Sequence, residues 1–166
     1  MDNEGAAISR PDQLAPHSVE AEEAVLGSIL INPDVLLDVA GFLAPVDFFI
    51  VRNQWVYEAI LAVYERGEAI DNLTIVQELR NQERLESVGG SAYIAYLINN
   101  TPTHIHAETY GRIVERAALR RRLLAAASHI AQAALEMDAD TDEVVAQAET
   151  ELFSVTEKKI TRDLVP

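Results

Sequence analysis

The sequence predicts an all-α protein: a compact bundle of about five helices over residues 16–102, then a long antiparallel helical hairpin over 103–159. Three observations carry this. Apolar residues recur at threes and fours from Ser18 onward. No segment has the strict alternation of a half-buried strand, and there is no internal repeat. From His106 to Glu136 there is no proline and a single glycine, Gly111.

The elements follow in order. Residues 1–15 include Gly5, Pro11 and Asp12 without periodicity and are expected to form a flexible tail. Ser18 reads as an N-cap, with Glu20, Glu22 and Glu23 where a helix dipole favours negative charge. Ala21, Val25, Leu26 and Ile29 give that helix its apolar stripe, as far as Ile31. Asn32-Pro33-Asp34 restarts a helix, since asparagine caps and proline suits the first helical position; Gly41 marks its end.

After Ala44-Pro45, the run Phe48-Phe49-Ile50-Val51 has strand-like composition, but helical spacing follows at once and a helix entry is expected. Val56, Ile60, Val63 and Tyr64 share a face, and Gly67 is placed to terminate. Asp71 or Asn72 caps a helix with Leu73, Val76 and Leu79 inside. Gly89-Gly90 is a turn, Ser91–Asn99 a short helix, and Asn99-Asn100-Thr101-Pro102 a loop. The long segment that follows is rich in Ala, Leu, Arg and Glu; about 30 residues of helix would be ~45 Å long. Met137 to Thr141 turns the chain into a second helix carrying Val144, Val145, Ala148, Leu152 and Val155. Residues 160–166 are expected to break off without a further element.

Composition excludes several functions. The absence of cysteine removes disulfides, thiolate metal sites and a cysteine nucleophile. No apolar run approaches the ~20 residues that span a bilayer, and the polar stretch Met1–Leu14 lacks the basic start and apolar centre of a signal peptide. A cytoplasmic location is expected, with no membrane partner. The net charge of −14 repels a phosphate backbone, and the only lysines are Lys158 and Lys159.

Catalytic patterns are missing too. No two glycines have P-loop spacing, no Gly-rich turn follows a strand, no glutamate stands three residues before a histidine, and there is no Gly-x-Ser-x-Gly. His104-x-His106 is a poor metal pair, because residues two apart in number do not share a helix face. No catalytic, metal or cofactor-binding residue is therefore expected in this chain.

Partner chemistry is better represented. Arg112, Arg116 and Arg120 recur every four residues, with Arg121 and Arg122 beside them; they suit an acidic partner or pairing within the helix with Glu108 and Glu115. Two helices packed only on each other cannot cover all the apolar side chains of the hairpin. The expected oligomer or partner interface is Ile113, Ala117, Leu119, Arg120, Leu123, Leu124, Ile130, Val144, Val145, Ala148 and Leu152.

The segments also match a known pattern. Pro16-His17-Ser18-x-Glu20-Ala21-Glu22-x-x-Val25-Leu26-Gly27 resembles the opening of the N-terminal domain of DnaB-type replicative helicases. Phe48-Phe49 followed by Tyr57-Glu58-Ala59-Ile60, then Gly67-Glu68-x-Ile70-Asp71, Gly89-Gly90-x-x-Tyr93, Thr101-Pro102, Tyr110-x-Arg112-Ile113-Val114 and Leu119-Arg120-Arg121 are similar to its later blocks. Asn53 stands where that family usually has histidine, His106 where asparagine is usual, and Gly111 where alanine is common.

The resemblance implies a non-catalytic oligomerisation module that pairs through its hairpin. It implies a hexameric collar in the parent protein, recruitment of a DnaG-type primase and contact with a helicase loader. Residues 160–166 would begin a linker to a RecA-like motor domain, which would hold ATP and magnesium and contact DNA. The residues alone leave open a helical adaptor or dimerisation domain unrelated to a helicase.

Overall fold

The computed structural model describes residues 14–163, with side chains described through Glu157. Eight α-helices appear among the described residues: α1 (Val19–Ile31), α2 (Leu36–Ala40), α3 (Val51–Glu65), α4 (Asn72–Asn81), α5 (Leu85–Val88), α6 (Gly90–Asn99), α7 (Ala107–Leu135) and α8 (Thr141–Asp163). Short 3-10 turns at Pro33–Val35 and Pro45–Asp47 precede α2 and α3. The fold is all-α, as expected. The expected tail lies outside the described residues except for Leu14 and Ala15.

The chain divides into two compact units, His17–Ala118 and the unit containing Leu119 onward. In the first, local signals act as the sequence suggests. Ser18 Oγ accepts from the Ala21 N–H at 3.2 Å, and Asp71 and Thr74 form a reciprocal capping box at the start of α4. α3 ends in a Schellman turn: the Glu68 N–H reaches Val63 O at 3.2 Å and Gly67 takes φ +71°. The core gathers Val25, Leu26, Ile29, Phe48, Tyr57, Ile60, Ile75, Leu79, Ile94 and Leu97.

The structure departs from expectation at four points. Tyr64 and Leu73 are exposed, at 47% and 78%; Ile75, two positions after Leu73, takes the core place in α4. The one-turn helix α5 was not anticipated. The bundle does not end at residue 102: the first part of α7, through Ala118, belongs to the same compact unit. Ala107 and Val114 lie in its core, and Gly111 sits against Phe42 and Val39, which explains a glycine inside a long helix. The hairpin unit therefore begins at Leu119 rather than residue 103. At the other end, α8 continues to Asp163, past the expected break at 160.

Candidate functional site

The hairpin unit supplies the candidate site, an interaction surface. Its two helices meet along a narrow seam where Ala126 and Val155 are the deeply buried apolar side chains, 4% and 5% exposed. Leu119, Ile130, Val144 and Ala148 are half-buried around them. On one side of the seam, Arg122, Ala125 and His129 of α7 join Glu151 and Ser154 of α8 around a shallow cleft of about 130 Å³. His129 Nδ1 lies 3.3 Å from Glu151 Oε2 there.

That polar side fixes the opposite one. A helix turns about 100° per residue. With Ala126 and Val155 pointing into the seam, Arg122, His129, Glu151 and Ser154 rotate one way. Leu123, Ala127 and Ile130 on α7, and Val145 and Leu152 on α8, rotate the other. Because the helices are antiparallel, these two sets line the same face. Leu123, Val145 and Leu152 are 41%, 52% and 51% exposed, so this face is apolar and uncovered by its own unit.

The expected interface residues therefore separate into groups. Leu123, Ile130, Val145 and Leu152 come together on one face. Leu119, Val144 and Ala148 border the seam and hold the hairpin itself. Leu124, 48% exposed, points to the outer side of α7, away from the seam, as does Leu135 at 78%. Ile113 and Ala117 fall in the other compact unit. Arg120 is exposed on the apolar side of α7. Phe153, 64% exposed on the outer side of α8, lies outside the expected set, because it stands off the stripe through Val145 and Leu152.

The arginine run is not one uniform stripe. Arg112 lies over the Phe42 ring, 3.7 Å from its centroid, and pairs with Glu115 at 3.0 Å. Arg121 donates to Pro16 O at 2.8 Å. Arg116 and Arg120 remain exposed. His104 and His106 stand at the entry to α7, where His106 meets Tyr110 edge-on. No cluster able to hold a metal ion occurs among the described residues, and no helix among them is long and apolar enough to cross a membrane.

Perturbed groups in the bundle are structural. Burial pushes the Tyr57 phenol up, and its hydroxyl donates to Leu43 O at 2.9 Å. Burial likewise pushes the Tyr93 phenol up to about 12, and its hydroxyl donates to Asn53 Oδ1. Asn53 thus serves as a buried acceptor between α3 and α6. A hydrogen bond from Arg66, 2.7 Å long, holds the Glu78 carboxyl below the usual range.

The model of the DnaB-like helicase N terminal domain matches residues 14–116. A replicative DNA helicase DnaC from Bacillus subtilis is 37% identical over 150 residues, covering 90% of this chain and 33% of the relative. A replicative DNA helicase DnaB from Mycobacterium leprae is 38% identical, over 91% of this chain and 25% of its own length. The chain thus spans a third or less of these relatives. The crystal structure of the N-terminal domain of DnaB helicase from Mycobacterium tuberculosis superposes with a TM-score of 0.81 at 37% identity, covering 84% of this chain and 99% of that one. A DnaB-like replicative helicase, whose structure was determined with a view to its interactions with primase, shares the fold: TM-score 0.70 at 22% identity, over 83% of this chain and 30% of that one.

Proposed function

This chain belongs to the family of DnaB-like helicase N-terminal domains, and on that premise we propose that it is the oligomerisation and primase-recruiting module of a replicative DNA helicase. The apolar hairpin face carries the reading. Leu123, Ile130, Val145 and Leu152 form an uncovered strip, and a second hairpin would remove it from water.

The magnitude sets the kind of assembly. Completing the burial of four half-exposed side chains contributes about 1 kcal/mol each, so ~8 kcal/mol for a symmetric pair. Association itself costs a similar amount. Pairing of isolated chains is therefore weak and concentration-dependent, and it strengthens when several pairs close into a hexamer, since ring closure makes later contacts intramolecular.

The remaining outer surface is free to recruit a DnaG-type primase and to meet a helicase loader. The interaction with primase named for the fold neighbour supports the primase reading. ATP, magnesium and the DNA-translocating chemistry are assigned to the part of the relatives this chain does not span, and DNA contact is made through that part. The location is the cytoplasm. The family assignment removes the unrelated-adaptor alternative.

Gel filtration of this chain with a DnaG-type primase tests the recruiting role: co-elution is expected, and separate elution at tens of micromolar of each would contradict it.

A further inference from the structure

Glu20, Glu23 and Ala24 stand three and four residues apart and share a face of α1. That face borders the end of α6, where Asn100 closes the helix. With Tyr110 of α7 these elements enclose a cleft of about 220 Å³, whose wall Leu97, Pro102 and Tyr110 make largely apolar. All of it lies within the first compact unit, away from the hairpin.

The rim of the cleft carries unbalanced charge. Glu23 is engaged within the chain: the Tyr96 hydroxyl donates to its Oε2 at 3.1 Å, and the Arg52 guanidinium lies 3.9 Å from its Oε1. The Glu20 side chain is exposed and has no hydrogen bond or ion pair among the described residues. Two carboxylates against one guanidinium leave one negative charge at the rim. The carbonyls that end α6 add to it, while the amides that open α1 offset part of Glu20. The cleft is complementary to one cation with an apolar stem.

Size and wall narrow the choice. Small-molecule sites occupy roughly 300–1,000 Å³, so this cleft suits a single side chain. A lysine ammonium is compact and strongly hydrated, whereas a guanidinium is weakly hydrated and stacks on a ring while hydrogen-bonding in its own plane. The chain already uses that combination nearby: Arg52 faces Glu23 and lies over the Tyr93 ring, 4.1 Å from its centroid. Glu20 and Tyr110 offer a carboxylate and a ring again. We infer that the cleft receives one arginine side chain of a partner protein, with its methylenes against Leu97 and Pro102 and its guanidinium at Glu20 and Tyr110.

N-acetyl-arginine methylamide carries this side chain without free termini and serves as the probe. Titrated into the isotope-labelled chain, it should shift the amide signals of Ala24, Asn100 and Tyr110 and saturate in the millimolar range. The citrulline analogue, alike in shape but uncharged, should leave them in place. Glu20→Gln, a change at an exposed position, should weaken binding about fivefold. Free arginine, whose own carboxylate meets the acidic rim, should bind more weakly; equal or tighter binding would point to a free metabolite and overturn the partner reading. Absence of shifts, equal shifts from the citrulline analogue, or shifts spread over the acidic surface and unchanged in Glu20→Gln would overturn the arginine site.

Discussion

Gly27 of α1 faces the Leu97 carbonyl and the Thr101 hydroxyl at the end of α6 so closely that a Cβ would collide with both. Thr101 Oγ1 is itself held by Leu97 O at 2.7 Å, so it cannot easily move aside. Gly27→Ala gains about 1 kcal/mol in helix propensity but must push the two helices apart. The expected net loss is about 2 kcal/mol, read as a lower urea midpoint; unchanged stability would mean the helices separate at little cost.

Gly111 offers the contrast. A Cβ there would stand 3.1 Å from both Phe42 Cζ and Val39 Cγ1, side-chain atoms that need shift by only a few tenths of an ångström. Gly111→Ala is expected to shift stability by less than about 1 kcal/mol, since the helix gain and the tighter contact nearly cancel. The ordering of the two variants is the observation to check.

Tyr93 sets a pH dependence. Its phenol titrates near 12 in the folded chain against 10.0 ordinarily, so the folded state retains a proton that the unfolded chain loses. That stabilisation is complete below pH 10 and is lost as pH rises towards 12. Tyr57, raised mainly by burial, acts in the same direction. Stability should fall between pH 9 and 11 by on the order of 1 kcal/mol for each tyrosine. Tyr93→Phe should flatten its share of that slope in urea titrations at the two pH values; an unchanged slope would place the loss elsewhere.

Much of this was legible in the sequence because it is local. Ser18, Asp71 and Gly67 announce helix ends through chemistry within a few residues, and the structure places those ends there. The division after Ala118 was not legible. α7 runs through it with no proline or glycine from Arg112 to Leu135, and only the packing of Ala107 and Val114 into the bundle core assigns its first turns. Leu73 and Ile75 illustrate the same limit, since apolar spacing alone does not say which face of a short helix is covered. On the hairpin, spacing named most of the exposed apolar residues. Their sorting into one shared face needed the seam direction given by Ala126 and Val155.

Light scattering measured across protein concentration tests pairing through this face most directly, comparing the unaltered chain with Leu123→Glu/Leu152→Glu. The unaltered chain should rise with concentration towards at least twice its 18.3 kDa, and the variant should stay at one chain's mass with unchanged helicity. A monomeric mass for the unaltered chain at every concentration, or equal association by the variant, would contradict it.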